Sequence, residues 1–127
     1  MSGRATAPLI AIVDDDASVR LAMDSLVQSA GYLSVVFSSG EAFLASSLKQ
    51  EIDCLILDIQ MPGMDGLYVQ RQLAAMHYSY PIIMVTAHDG EPREIARKQG
   101  AFAVLPKTCG GEALLSVIKS ALDAGRR

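Results

Sequence analysis

The sequence predicts an α/β fold in which five parallel strands form one sheet with helices on both faces. Short apolar runs of strand length alternate strictly with longer amphipathic segments along the chain. Strict alternation is typical of parallel strands joined by right-handed crossovers. The strand segments are continuous apolar runs, which indicates strands that are covered by helices on both faces.

The first third of the chain predicts a strand, a helix and a second strand. Residues 9–13 form the first apolar run. Residues 17–30 repeat apolar side chains at helical spacing, and Gly31 follows as a helix stop. Residues 34–37 form the second strand.

The middle of the chain continues the alternation. A short helix is predicted to open at residues 38–41, and residues 54–57 form a third strand. Residues 66–76 carry apolar side chains at helical spacing and predict the next helix. Asp65, directly before this helix, is expected to act as a turn or cap residue.

The last third predicts two further strand–helix units. Pro81 leads into a fourth strand at residues 82–85, which is followed by a short polar helix at residues 91–99. Residues 102–105 form the fifth strand, and residues 112–122 form a final amphipathic helix.

Composition limits the class of protein. The 127 residues fit one domain, which we place at residues 9–123, between an N-terminal tail (1–8) and a C-terminal tail or linker stub (124–127). The net charge of −3 argues against direct nucleic-acid binding, and the apolar runs are too short for a membrane span. Two cysteines and no signal peptide predict a cytoplasmic protein.

Polar side chains follow four of the five predicted strands. In an open α/β sheet, ligands bind outside the carboxyl ends of the strands, so these groups are expected to share one rim. They are residues 14–16 after the first strand, Asp58 after the third, Thr86 after the fourth and Lys107 after the fifth.

The chemistry of this rim favours a phosphoryl site with a hard cation. Crowded carboxylates need a cation, and oxygen ligands suit Mg²⁺, whereas no Cys/His cluster is present for zinc. A lysine and a threonine beside the cation would stabilise phosphoryl oxygens, and a carboxylate can itself form an aspartyl phosphate. No GxxxxGK[ST] or GxGxxG motif is present, so a nucleotide is not expected.

The whole chain resembles the receiver domain of two-component response regulators, and its motifs are most similar to those of the FixJ-type subgroup. The spacings agree, with 43 residues from Asp15 to Asp58 and 49 from Asp58 to Lys107. The resemblance implies a flavodoxin-like (βα)5 fold with strand order 2-1-3-4-5. The matching segments are Ile12-Val-Asp-Asp-Asp16 with Arg20, Leu57-Asp-Ile-Gln-Met-Pro-Gly-Met-Asp-Gly66, Val85-Thr-Ala-His88, and Gly100-Ala with Leu105-Pro-Lys107.

The resemblance also implies roles for the acidic residues. Asp58 would accept a phosphoryl group from a sensor histidine kinase, a histidine phosphotransfer protein or a small phosphodonor. Asp14 and Asp15 would hold Mg²⁺, helped by Asp58 and the backbone carbonyl of Gln60. The domain would catalyse only its own aspartyl phosphorylation and dephosphorylation, and would otherwise not be an enzyme.

A second group of residues would carry the signal onward. By the resemblance, Thr86 would move toward the phosphoryl group and Lys107 would pair with its oxygens, while Gln60 and His88 would tune dephosphorylation. Taken without the resemblance, the position of His88 favours a role as an exposed loop residue over a role as a catalyst. The face built by the fourth and fifth strands and helices would then switch. It would control an output domain or effector protein, and phosphorylation would promote a homodimer.

Two residues depart from the family pattern. Thr108 stands where receivers usually have proline, so we expect a trans Lys107–Thr108 peptide and a different loop. Val104 replaces the usual aromatic switch residue, and Phe102 lies two residues earlier on the same side of the strand. The coupling between Thr86 and an aromatic ring is therefore expected to be weak or rerouted.

Alternative functions remain open beside the phosphorylated receiver. A receiver-like interaction module that acts without phosphorylation fits the departures at Val104 and Thr108. A phosphatase would need a second carboxylate where Gln60 stands, and a flavin site would place phosphate beside repelling carboxylates. Asp16 is expected to cap the first long helix, and Cys109 to be an idle thiol.

Overall fold

The computed structural model describes residues 7–125 and has five strands and five α-helices in strict alternation. The outer residues of the two predicted tails, 1–6 and 126–127, lie outside the described residues. The strands are β1 (Leu9–Val13), β2 (Leu33–Phe37), β3 (Cys54–Asp58), β4 (Ile82–Thr86) and β5 (Ala103–Pro106). The helices are α1 (Ala17–Ser29), α2 (Gly40–Ala45), α3 (Gly66–Ala75), α4 (Glu91–Lys98) and α5 (Gly111–Gly125).

All five strands are parallel and lie in the order β2-β1-β3-β4-β5, so the predicted doubly wound fold is confirmed. The order reverses direction between β1 and β3, whose register pairs Val13 with Leu57. Open sheets of this kind bind ligands outside the carboxyl ends of their strands, at the point where the strand order reverses.

Two apolar clusters cover the two faces of the sheet. On one face the helices α2, α3 and α4 contribute Phe43, Leu73 and Ala96, among others, to a buried cluster. On the other face α1 and α5 contribute Val27 and Ile118. Since the central strands are buried on both faces, their backbone ends are held rigidly where they reach the rim.

Side-chain caps set where the helices begin at this rim. Asp16 accepts hydrogen bonds from the backbone N–H groups of Ser18 (2.9 Å) and Val19 (3.2 Å), as its predicted cap role requires. Asp65 accepts from the N–H of Tyr68 at 2.9 Å and caps α3. The hydrogen bond from the Ser18 hydroxyl lowers the pKa of Asp16, so this carboxylate is ionised as a cap.

The structure differs from the sequence predictions at the sheet edges. Strand β2 is not covered on both faces, because it is an edge strand, and Leu33 and Val36 are 50% and 40% exposed. Strand β5 begins at Ala103, so Phe102 lies before the strand, and it is exposed. A 3-10 turn at Ser47–Gln50 follows α2 and was not predicted.

The last helix is longer than expected. Helix α5 continues to Gly125, so residues 124 and 125 of the predicted tail are helical. No proline interrupts the helical pattern after residue 122, and Ala121 and Leu122 remain buried against the sheet. Within residues 7–125, none of the helices combines the length and apolar character that crossing a bilayer requires.

Candidate functional site

The ends of β1, β3 and β4 deliver three polar side chains into a buried part of the rim. Asp14, Asp58 and Thr86 are each only 1% exposed. Asp58 is the last residue of β3. The backbone N–H of the next residue, Ile59, donates to the carbonyl of Val85 in β4 (2.9 Å). The sheet therefore fixes the backbone on which these side chains stand, and burial makes their electrostatic interactions strong.

Lys107 joins the two buried carboxylates. The backbone N–H of Lys107 donates to the carbonyl of Thr86 (2.8 Å), which places Lys107 directly after β5 at the same rim. The ammonium Nζ lies 3.0 Å from Oδ2 of Asp58 and 3.1 Å from Oδ2 of Asp14. One cation thus bridges two carboxylates, which leaves the cluster with a net negative charge.

The cluster shifts the acidity of its members. Burial raises the pKa of Asp58 to about 6, although the hydrogen bond from Lys107 opposes this, and the charge of Asp14 adds to the rise. Burial alone would lower the pKa of Lys107, but its contacts with the carboxylates of Asp58 and Asp14 outweigh burial and raise it. At neutral pH Asp58 is therefore mostly a carboxylate, and Lys107 is a cation.

Three carboxylates at this rim are placed to hold a cation. Asp14, Asp15 and Asp58 each offer an oxygen, and these oxygens all lie within 4.8 Å of one another. The buried Oδ2 of Asp14 accepts no directed hydrogen bond and has only the ion pair with Lys107, so it retains coordinating capacity. Asp15 is exposed and leaves the cluster open to solvent. All-oxygen donors fit Mg²⁺, which keeps several of its waters.

Gln60 connects the phosphoacceptor candidate to Thr86, a contact that the sequence analysis missed. Its N–H donates to Oδ1 of Asp58 (3.2 Å), and its side-chain Oε1 accepts from the hydroxyl of Thr86 at 2.7 Å. The sequence analysis considered only its backbone carbonyl and its influence on dephosphorylation. The available signal was position, because a long amide two residues after β3 can reach the end of neighbouring β4.

His88 touches this network through its backbone. Its N–H donates to Oγ1 of Thr86 at 3.0 Å, and its carbonyl lies 3.1 Å from the same oxygen. The residue is exposed, as its placement in a loop after β4 predicts.

The two departures from the family pattern have different surroundings. Val104 is 7% exposed and belongs to the cluster under α3 and α4, whereas Phe102 is 41% exposed. Thr108 is exposed in the turn after Lys107, and within residues 7–125 there is no cis peptide bond, so the expected trans form is present. The N–H of Cys109 closes this turn on the carbonyl of Pro106 (3.0 Å).

Gly66 is a residue of the site that the sequence analysis treated only as a helix start. A Cβ at this position would lie 2.3 Å from the carbonyl oxygen of Asp58 and 2.9 Å from Cα of Ile59. Its N–H donates to the carbonyl of Ile59 at 2.8 Å. Glycine is thus required for α3 to approach the backbone of the phosphoacceptor candidate. Its place in the Asp-Gly pair after the loop was the signal.

A doubly wound sheet whose rim joins three carboxylates, one lysine and one threonine defines the receiver class of signalling domains. Residues 10–119 match the family model described as the response regulator receiver domain. The chain therefore belongs to this family and is a receiver domain of the response regulators of two-component systems.

Named relatives support the assignment. The chain is 42% identical over 123 residues to the response regulator protein TodT of Pseudomonas putida, covering 96% of this chain and 53% of that protein. It superposes on the response regulator StyR with a TM-score of 0.87 and 37% identity, covering 95% of this chain and 62% of that one. The corresponding values for FixJ-N are 0.84 and 27%, with 93% and 95% covered. The chain spans about half the length of relatives such as TodT.

Proposed function

We propose that this domain receives a phosphoryl group on Asp58 in a Mg²⁺-dependent reaction. The observation that carries the proposal is the buried carboxylate of Asp58, which ends β3 beside Asp14 and Asp15 and is bonded to Lys107 at 3.0 Å. A structural ion pair would need no second and third carboxylate within 4.8 Å. This crowding is unfavourable unless a cation joins it.

The chemistry is a transfer between two covalent partners. An oxygen of the Asp58 carboxylate attacks phosphorus, the bond from phosphorus to the donor's histidine nitrogen breaks, and the leaving imidazole regains a proton. Mg²⁺ held by Asp14, Asp15, Asp58 and the backbone carbonyl of Gln60 would supply charge neutralisation for the phosphoryl oxygens. A small phosphodonor such as acetyl phosphate would replace the histidine.

Lys107 and Thr86 act on the transferred group. Lys107 leaves Oδ2 of Asp58 and contacts a phosphoryl oxygen instead. Its positive charge then offsets the negative charge that the phosphoryl group adds. Thr86 donates a hydrogen bond from its hydroxyl to another phosphoryl oxygen. Its movement shifts the face formed by β4, α4, β5 and α5 between two conformations.

The partners follow from this role. A sensor histidine kinase or a histidine phosphotransfer protein supplies the group, and the switched face controls an output domain or effector protein. Phosphorylation promotes a homodimer, and this domain itself contacts neither nucleic acid nor membrane. The free thiols of Cys54 and Cys109 favour a reducing compartment, so we place the reaction in the cytoplasm.

The test is intact mass after incubation with acetyl phosphate, with and without Mg²⁺. We expect a gain of one phosphoryl group in the wild type with Mg²⁺ and none in Asp58→Asn. Asp123→Asn makes the same change at an exposed position on α5, and this control should be phosphorylated like the wild type. No gain in the wild type would contradict the proposal and favour a module that acts without phosphorylation. A full gain in Asp58→Asn would assign a different acceptor.

A further inference from the structure

The hydroxyl of Thr86 is already engaged in the resting domain. Its oxygen lies 2.7 Å from Oε1 of Gln60, 3.0 Å from the N–H of His88 and 3.1 Å from the His88 carbonyl oxygen. Thr86 is 1% exposed, so its hydroxyl is shielded from bulk solvent.

A threonine hydroxyl has one proton to donate. In this site it accepts from the N–H of His88 and has two possible acceptors, of which Oε1 of Gln60 is nearer by 0.4 Å (2.7 against 3.1 Å). The His88 carbonyl belongs to the residue whose N–H already donates to the same oxygen, so the donor and acceptor directions are poorly separated there. The proton is therefore directed to Gln60.

We propose that Gln60 is a positioning residue that holds Thr86 in its resting orientation by accepting a hydrogen bond from the Thr86 hydroxyl. The inference rests on the proposed function, because the same proton is the one that Thr86 would donate to a phosphoryl oxygen. The two bonds exclude each other, so forming the active state requires the loss of the Gln60 contact. Gln60 thereby sets the equilibrium between the two conformations of the switch.

The position of Gln60 makes this control direct. Its backbone N–H holds Oδ1 of Asp58 at 3.2 Å, so the residue is anchored to the phosphoacceptor while its side chain reaches Thr86. A change of side chain at residue 60 leaves the backbone contact available. The effect on Thr86 can therefore be separated from the acceptor itself.

The first experiment needs neither phosphorylation nor Mg²⁺. The γ2-methyl carbon of Thr86 is labelled, and its three-bond couplings to backbone nitrogen and carbonyl carbon report the χ1 rotamer by NMR. Gln60→Met keeps the length of the side chain and removes the acceptor. We expect the population ratio of the resting rotamer to the others to fall about fivefold, which corresponds to the ~1 kcal/mol of one net hydrogen bond. Gln50→Met, the same change at an exposed position, should leave the ratio unchanged.

The second experiment measures the switch with beryllofluoride and Mg²⁺ as the phosphoryl mimic. Since a ligand of the active state binds more tightly when that state is more populated, Gln60→Met should bind beryllofluoride about fivefold more tightly than the wild type. In a Thr86→Val background, where the hydroxyl is absent, Gln60→Met should have no effect. This absence is a result that a general structural disturbance at residue 60 would not produce.

The two experiments separate the inference from the proposed function. Unchanged couplings in Gln60→Met would overturn the inference, because the His88 carbonyl would then hold the hydroxyl alone. An equal gain in affinity in the Thr86→Val background would also overturn it. If the wild type binds no beryllofluoride, the proposed function fails, and the methyl couplings of the unphosphorylated protein still decide whether Gln60 positions Thr86.

Discussion

Replacing Asp58 by asparagine is expected to stabilise the domain at neutral pH in the absence of Mg²⁺. The pKa of Asp58 is raised from 3.8 to about 6, chiefly by burial, with the hydrogen bond from Lys107 opposing the rise and the charge of Asp14 adding to it. The folded state therefore binds a proton at Asp58 more tightly than the unfolded chain does. The contribution of Asp58 to the free energy of unfolding is fully present below pH 3.8 and declines between pH 3.8 and about 6. It is lost above about pH 6.

The size of the effect follows from the same pKa difference. At about 1.4 kcal/mol per pH unit, ionised Asp58 costs the fold at most about 3 kcal/mol at pH 7.5. Asparagine is close in shape to the protonated side chain and stays neutral at every pH. We expect Asp58→Asn to raise the free energy of unfolding by about 1–3 kcal/mol at pH 7.5, and by about a third of that gain at pH 4.5.

Urea unfolding followed by circular dichroism, with a chelator present, measures this difference at the two pH values. Asp123→Asn, at an exposed position on α5, is the matched control and should differ from the wild type by less than about 0.5 kcal/mol. Saturating Mg²⁺ should narrow the gap, because it stabilises the wild type by binding its intact cluster. An Asp58→Asn variant without a gain at pH 7.5, or with the same gain at pH 4.5, would refute the reasoning from burial.

Three further substitutions test the interactions that hold helix α3 in place. Gly66→Ala should lower the free energy of unfolding by about 1–3 kcal/mol in urea titrations, because the new Cβ meets the backbone of residue 58 at 2.3 Å. His77→Gly should raise the midpoint of thermal unfolding, with a gain of about 0.5–1 kcal/mol, since residue 77 follows the C-cap of α3 and has a φ of 67° that disfavours side chains with a Cβ. Gln70→Leu should cost about 1–2 kcal/mol and speed hydrogen exchange at the end of α4, because the buried amide donates to the carbonyl of Ala96 at 3.0 Å. Unchanged exchange there would mean that this bond does not anchor α4.

The sequence was sufficient for the order of elements and for the residues at the rim. Apolar runs define strands because these strands are buried, and parallel topology then brings their carboxyl ends together whatever the loops do. The placement of Asp14, Asp58 and Lys107 in one cluster follows from these two facts. The strand pattern was less informative at the edge of the sheet, because Leu33 and Val36 of β2 are exposed there although the apolar run predicted burial on both faces.

Contacts between side chains were beyond what the pattern could predict. The bond from Thr86 to Gln60 depends on a rotamer of a long amide, and no periodicity encodes a rotamer. The need for glycine at residue 66 depends on the angle at which α3 meets β3, which only the packed structure defines. Helix α5 likewise continues through Ala124 and Gly125, which are exposed and therefore add no apolar periodicity by which the sequence could extend the helix.

In the function proposed above, the resting contacts of the site oppose activation in two different ways. Lys107 is bonded to both buried carboxylates, so its removal changes the charge around the reacting oxygen as well as the stability of the resting state. Gln60 hydrogen-bonds to Asp58 through its backbone N–H and to Thr86 through its side chain. Changes at Lys107 should therefore alter the rate of phosphorylation and the switch together, whereas side-chain changes at Gln60 act on the switch while the charges around Asp58 stay the same. The difference arises because one residue supplies charge to the reacting group and the other supplies only an acceptor for one proton.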